Sequence, residues 1–348
     1  MSGLGEALLV ARKAQGLIQE DVCGQLGITQ ATLSRYENDQ RMPDGETLAK
    51  FAQIYGITVG LLRCGQRMHG ALAIDSHMRR QRTTKATLWR RLEARLNMYR
   101  LHVSLLFEEV SLRSTNLIPT FDLEETRPPA AALITRAQWK MPIGPVMHLI
   151  RWIEAAGCVV IEEDFETTRI DGLSQWIGDH PIILINSRLA TDRKRLTLAH
   201  EIGHLSLHSS HATSDMEEEA NVFAAEFLMP EHVIRPELRN LSLGKLIDLK
   251  REWGVSMQAI VERAYRLGLV NPHDRVEFYR SLNARGWKAQ EPVSAELPVE
   301  RAELAQEIGA RMRERGLSDE EIAGMAGFAL GRVGDNPFRV QPKRLQAV

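Results

Sequence analysis

The chain has 348 residues, 44% of them hydrophobic and 26% charged, with a formal net charge of −1, which is ordinary for a folded protein of two or three domains. No apolar run approaches the roughly 18 residues of a membrane span, and residues 1–15 lack the apolar core of a signal peptide, so we expect a cytoplasmic protein without a membrane partner. Three scattered cysteines with no C-x-x-C pair argue against a disulfide framework or a zinc knuckle.

The first predicted elements lie within residues 5–62 and form a helix-turn-helix pattern. A helix over 6–15 is followed by a helical run over 18–26, a turn containing Gly27, and a polar helix over 30–38. Two short helices joined by a glycine-containing turn are typical of DNA-binding proteins. We therefore predict an all-α DNA-binding domain over residues 1–65.

This stretch resembles the XRE, lambda-repressor-like family of DNA-binding domains over nearly all of its length. The resemblance implies that the chain binds double-stranded operator DNA, and such domains usually bind as homodimers on paired half-sites. It also implies an ion pair between Arg12 and Glu37. It places two groups of side chains on the DNA: Gln30, Ala31, Ser34 and Arg35 at the base edges, and Gln19 and Asn38 at the phosphates.

Charge is distributed unevenly along this half of the chain. Residues 1–65 hold six Lys or Arg against seven Asp or Glu, so a helical protein–protein module of the same fold stays open as an alternative. Residues 77–100 hold eight Lys or Arg and one Glu. This segment could grip flanking DNA, or it could be the solvated face of a long helix. Within residues 66–141 we thus predict a basic helical linker. The apolar seam of its helix, which also suits dimerisation, consists of Leu88, Leu92, Leu96 and Tyr99.

The second half of the chain alternates helical and strand-like patterns. Prolines between residues 115 and 145 interrupt any regular pattern and indicate a boundary. A helix over 146–156 and strands over 158–161 and 181–186 then predict an α+β domain with a small sheet, over residues 142–290.

The last segment, residues 291–348, is predicted as a helical C-terminal extension. Two helices are expected there, over 300–316 and 318–332, and their role cannot be read from the residues. No internal sequence repeat is evident. The predicted fold class is therefore multidomain and mainly α.

The most informative motif lies within residues 196–208, where His200 to His204 read H-E-x-x-H. On a helix the two His lie on one face, about 6 Å apart along the axis, and can converge on one Zn²⁺. A catalytic zinc takes three protein ligands and keeps a fourth place for water, whose pKa falls to about 7. Glu201 would take the proton of that water as it attacks a peptide carbonyl. The alternative is a pair of buried, hydrogen-bonded His.

A third ligand is predicted in the acidic run 217–219, at the start of a second helix. Glu217 continues the apolar stripe of this helix, whereas Glu218 and Glu219 are rotated about 100° and 200° from it, toward solvent. Glu217 is therefore the preferred ligand. The alternative is that Ser214 and Glu217 form a capping box without any metal.

Two further residues are predicted to support the ligands. Asn221, four residues after Glu217, could orient a zinc-bound His. His208 lies about 12 Å along the helix axis from His200, too far to share one ion, and is predicted as a helix-end residue that supports the site. His211 does not fit the longer metzincin spacing.

The runs 192–208 and 217–230 resemble the ImmA/IrrE family of zinc metallopeptidases, and the resemblance extends from about Pro142 to Gly286. It implies a zincin-like fold, zinc held by His200, His204 and Glu217, and Glu201 as the catalytic base. Characterised members of that family cleave repressors to release stress-response or mobile-element genes.

We therefore predict a DNA-binding regulator whose zinc endopeptidase cleaves a repressor, either a partner protein or itself. The alternative is a non-catalytic repressor or antitoxin-like protein whose peptidase-like domain senses a metal or a ligand.

Overall fold

The computed structural model describes residues 3–64, 86–110, 114–177, 180–209, 214–288, 290–329, 331 and 336–339. Within these residues the chain is multidomain and mostly helical, with one small sheet. No helix in this part of the chain is long and apolar enough to cross a membrane.

The N-terminal domain is all-α, as predicted. Its helices are α1 (Leu4–Ala14), α2 (Gln19–Leu26), α3 (Gln30–Glu37), α4 (Gly45–Tyr55) and α5 (Val59–Arg63). Gly27 ends α2 in the left-handed region, and the side chain of Thr29 caps α3 by accepting from the backbone N–H of Thr32. Val22, Leu33 and Phe51 are fully buried between the helices. The turn and the caps thus place α3 across the core with one face exposed.

A long helix, α6 (Ala86–Glu109), connects this domain to the rest of the chain. It packs against α1, and Leu92 and Leu96 of the predicted seam are buried within the chain. Arg91 and Arg95 form ion pairs with Glu166 and Glu163 of the following domain. Four further basic positions of the segment 77–100, at 79, 80, 82 and 85, lie outside the described residues.

The sheet has three strands in the order β1-β3-β2: β1 (Val159–Glu163), β2 (Gly172–Ile177) and β3 (His180–Asn186). β1 is parallel to β3 and β2 is antiparallel to it. The first and last strands occur where they were predicted, whereas β2 was not predicted as a strand. Side chains alternate between two faces, so Val160 and Ile183 join one core and Val159 and Ile182 join the other.

Helices cover the first face of the sheet: α7 (Pro128–Gln138), α8 (Leu149–Ala155), α9 (Thr191–Leu207), α10 (Met216–Leu228), α11 (Glu231–Ile234), α12 (Leu243–Trp253), α13 (Met257–Arg266) and α14 (Pro272–Ala284). The core of this domain also includes residues before the predicted boundary at residue 142, since Ala131, Ala132 and Trp139 are buried in it. Pro128 starts α7, and proline at the first turn of a helix is favourable, so the prolines here mark a helix start rather than an interruption.

Two C-terminal helices, α15 (Leu304–Glu314) and α16 (Asp319–Met325), confirm the predicted helical extension. Together with α6 they cover the second face of the sheet, where Ile308 and Ile322 are buried. The C-terminal extension is therefore an integral part of the fold.

Candidate metal centre and nucleic-acid interface

The H-E-x-x-H residues lie on α9, which is buried along most of its length. His200, Glu201 and His204 are 4%, 2% and 7% exposed. The two imidazoles project from one face of the helix, and their Nε2 atoms lie 3.0 Å apart. The two ring nitrogens, one helical turn apart, thus converge on one point.

Glu217 reaches this point from α10, which packs tightly against α9. One carboxylate oxygen lies 3.4 Å from Nε2 of His204, and the other lies 3.7 Å from Nε2 of His200. The close approach depends on Gly203, because a Cβ there would lie 3.1 Å from the Cα of Ala220 and 3.2 Å from its carbonyl oxygen. Glycine within the motif therefore lets the second helix bring its carboxylate to the two His.

Hydrogen bonds from α10 determine which nitrogens of the two His carry protons. Nδ1 of His200 lies 3.1 Å from Oδ1 of Asn221, which can only accept, so this nitrogen is the protonated one. On the other side, Nε2 of His208 lies 2.9 Å from the carboxylate of Glu219, and Nδ1 of His208 lies 3.1 Å from Nδ1 of His204. Because Glu219 also only accepts, the proton of His208 is on Nε2, and Nδ1 of His204 donates to it.

The donor set fits a divalent metal ion. With these tautomers the two Nε2 atoms, 3.0 Å apart, direct their lone pairs toward each other, an arrangement that a cation between them would stabilise. All three ligand atoms, from His200, His204 and Glu217, lie within 4.8 Å of one another. Ligand atoms of a tetrahedral zinc, bound at about 2.0–2.1 Å, are roughly 3.3 Å apart, close to the spacing seen here.

The remaining residue of the motif, Glu201, lies beside this cluster and is held by Ser174 of β2. The hydroxyl of Ser174 donates to Oε2 of Glu201 over 2.6 Å. Burial raises the pKa of Glu201 to about 7, while His204 and the Ser174 hydrogen bond act in the opposite direction. A carboxylate in this environment can both take and return a proton near neutral pH. Sequence reasoning missed Ser174 because β2 was not recognised as a strand.

The three carboxylates of the acidic run have different partners. Glu217 faces the His pair, and Glu218 is 60% exposed and forms an ion pair with Arg266. The expectation that Glu219 faces solvent is wrong, since its carboxylate binds His208 and its side chain is only 23% exposed. The first turn of α10 lies against α9, so residues on two sides of that turn reach the site. His211 lies outside the described residues.

The predicted DNA-reading residues lie along α3. Gln30, Ala31 and Arg35 are exposed, and Ser34 is half-buried. Asn38 ends the helix, and its side-chain amide donates to the backbone oxygen of Ser34. Among the described residues, α3 therefore presents Gln30, Ala31 and Arg35 on an exposed face.

A chain of polar contacts connects this face to the domain core. The predicted Arg12–Glu37 pair is confirmed: it is bidentate and both residues are buried. Glu37 also accepts from the amide of Gln19, and the oxygen of that amide accepts from Gln30 over 3.0 Å. Gln19, which was predicted to contact a phosphate, is half-buried, and the buried Arg12–Glu37 ion pair orients its side chain.

Two family models match the chain. Residues 9–62 match the family described as helix-turn-helix, and residues 153–265 match the peptidase family described as IrrE N-terminal-like domain. The chain therefore combines a helix-turn-helix domain with an IrrE-like metallopeptidase-type domain, and the second match contains α9 and α10.

Among curated proteins, the chain is similar to the HTH-type transcriptional regulator ImmR of Bacillus subtilis (strain 168). The two are 37% identical over 59 residues, which are 17% of this chain and 46% of that relative. The chain thus spans less than half the length of this relative.

Proposed function

We propose that this protein is a DNA-binding transcriptional regulator whose zinc-dependent endopeptidase cleaves a repressor, in a stress or mobile-element response. The observation that carries the proposal is the convergence of His200, His204 and Glu217 beside the buried Glu201. The match of residues 153–265 to a peptidase family supports it independently.

In this proposal the three converging residues hold Zn²⁺. Two imidazoles and one carboxylate form a ligand set that catalytic zinc sites use, and bound zinc would supply Lewis acidity at the scissile carbonyl and an acidified water. Glu201 takes the proton of the attacking water and delivers it to the leaving amine. Ser174 keeps the carboxylate of Glu201 turned toward the site.

The cleavable segment enters from the side of Glu217. The Glu217 side chain is 44% exposed, whereas those of His200 and His204 are 4% and 6% exposed, so the cluster is open on the carboxylate side and closed on the helix side. A peptide bond must come within reach of Glu201 at this opening. An extended or unfolded segment of a repressor meets that requirement better than a rigid domain.

The other end of the chain binds operator DNA through α3. Its exposed Gln30 and Arg35 are of the types that bond adenine and guanine bidentately. A homodimer on paired half-sites in the cytoplasm is the expected arrangement.

The experiment is a comparison of wild type with E201Q, with E218Q as the matched control. Each zinc-loaded protein is incubated alone and with a lysate of the source cells, and newly formed protein N-termini are identified by mass spectrometry. We expect new N-termini with wild type and E218Q only, while all three proteins retain one zinc. Identical N-termini with wild type and E201Q would refute proteolysis at this site and favour the metal-sensing alternative.

A further inference from the structure

The two C-terminal helices repeat the first two helices of the DNA-binding domain at an offset of 300 residues. Residues 4–28 and 304–328 align without a gap. The sequence expectation of no internal repeat is therefore wrong. Six aligned positions carry the same residue: Leu4, Gly16, Leu17, Glu20, Gly24 and Gly27, each matched 300 residues later.

The two segments also share their local structure. α1 and α15 are both 11 residues long, and α2 and α16 begin at matching positions, Gln19 and Asp319. Gly16 and Gly316 have positive φ angles of 71° and 95°, and Gly27 and Gly327 have 68° and 86°. Since only glycine adopts these angles without strain, both turns of the motif are preserved.

The start of the second helix is capped in the same way in both copies. The backbone N–H of Ile18 donates to the carboxylate of Asp21, and that of Ser318 donates to the carboxylate of Glu321. The agreement of helix lengths, turns and caps shows that residues 304–328 are a second copy of the helix–turn–helix start.

The C-terminal copy does not keep the four predicted base-reading residues. At the positions of Gln30, Ala31, Ser34 and Arg35 the sequence has Leu330, Gly331, Gly334 and Asp335. An aspartate in place of the arginine would repel phosphates. Residues 304–329 hold three Arg against five Asp or Glu.

This copy instead contacts the DNA-binding domain, at the link between α4 and α5. Ile57 and Phe328 face each other in an antiparallel bridge. The backbone N–H of Thr58 donates to the carbonyl of Gly327 over 2.9 Å, and that of Ala329 donates to Gly56 over 3.1 Å. A Cβ on Gly327 would lie 2.8 Å from Leu61, so the two surfaces are in close contact.

The opposite end of the copy is anchored to the peptidase-type domain. The buried carboxylate of Glu154 on α8 accepts from the backbone N–H groups of Glu303 and Leu304, at the start of α15. Glu162 of β1 accepts from the N–H of Ala302. Residues 302–329 therefore bridge the two functional domains of the same chain.

We propose that residues 304–329 are a copy of the helix-turn-helix start that lacks the base-reading residues and serves as an intramolecular binding module for the DNA-binding domain. Its binding surface is the Gly327–Ala329 backbone, and its partner is the Gly56–Thr58 segment. The module holds the DNA-binding domain in a fixed orientation to the peptidase-type domain. This inference does not depend on catalytic activity.

The test is a disulfide across the contact, in the full-length double variant I57C/F328C. Residues that face each other in such a non-hydrogen-bonded antiparallel pair have Cα atoms about 4.5 Å apart, within the range a disulfide spans. The single variants I57C and F328C control for bonds to Cys23, Cys64 or Cys158. We expect a monomeric chain containing a 57–328 disulfide, identified by peptide mass mapping.

Two outcomes would overturn the proposal. A disulfide-linked dimer joined through 57 and 328 would show that the module binds a second copy, and reduced cysteines after oxidation would show that the contact does not form. Amide hydrogen exchange provides a second measurement. The N–H of Thr58 should exchange at least tenfold faster in F328A, while that of Leu61, which donates to the Thr58 side chain within the domain, should be unchanged.

Discussion

The carboxylate of Glu219 lies 2.9 Å from Nε2 of His208, which links the first turn of α10 to the end of α9. His208 is in turn hydrogen-bonded to His204, since their Nδ1 atoms lie 3.1 Å apart. Glu219 accepts a hydrogen bond from His208, and His208 accepts one from His204. Such a chain of hydrogen bonds fixes the orientation of both rings and makes Nε2 of His204 a better electron donor.

This relay predicts that Glu219 strengthens zinc binding without touching the ion. In E219A the zinc affinity, measured by competition with a chelator, should fall about 10- to 100-fold, because the tautomer of His204 is no longer specified. E218A is the matched control, since Glu218 is adjacent and also acidic but binds the exposed Arg266. Equal affinities of E219A and E218A would contradict the relay.

Ser174 is predicted to position the catalytic base. S174A should lower kcat about 10- to 100-fold, as expected for loss of a hydrogen bond to a charged group, with little change in KM or zinc content. S174T keeps the hydroxyl and should restore most of the activity. A change in KM alone would instead assign Ser174 to substrate binding.

Arg35 is predicted to read a base. Selection of binding sites from random duplex DNA should show that R35A loses preference at one position of the half-site, worth about 1–3 kcal/mol, with non-specific binding retained. The control is K50A, since Lys50 is exposed on α4 and paired with Glu46. A uniform loss of affinity, with a smaller salt dependence, would mean that Arg35 contacts a phosphate.

His102 predicts a loss of stability in mild acid. Its ring is buried against Phe328, and Nδ1 lies 2.6 Å from the carbonyl of Ala326. Burial lowers the pKa of His102 from 6.5 to about 4, opposed by the Ala326 hydrogen bond. Between these pH values the unfolded chain binds a proton that the folded chain does not, so the free energy of unfolding decreases as pH falls from 6.5 to 4.

The control for this prediction is H102N, which can still donate to the Ala326 carbonyl but does not titrate. The free energy of unfolding of wild type, relative to H102N, should drop by up to about 3 kcal/mol across this pH range. Comparison of the two proteins cancels contributions of other groups, such as Glu201. Parallel pH profiles would show that His102 has the same pKa in the folded and the unfolded chain.

The local features of the chain followed from short-range patterns. Helix spacing alone brought His200 and His204 to one face and located Glu201 beside them, because positions four apart on a helix are neighbours. The glycine-containing turn likewise marked the helix-turn-helix, and apolar runs marked β1 and β3. β2 was not predicted as a strand, because its six residues show little alternation of apolar and polar side chains and depend on pairing with β3.

What only the tertiary structure decided is how distant segments meet. The packing of α10 on Gly203 selects Glu217 over its acidic neighbours and turns Glu219 toward His208, and the position of β2 brings Ser174 to Glu201. The contact of Phe328 with Ile57 joins residues 271 positions apart. Periodicity reports which face of an element is buried, but the partner of that face is chosen by three-dimensional packing, which no local pattern contains.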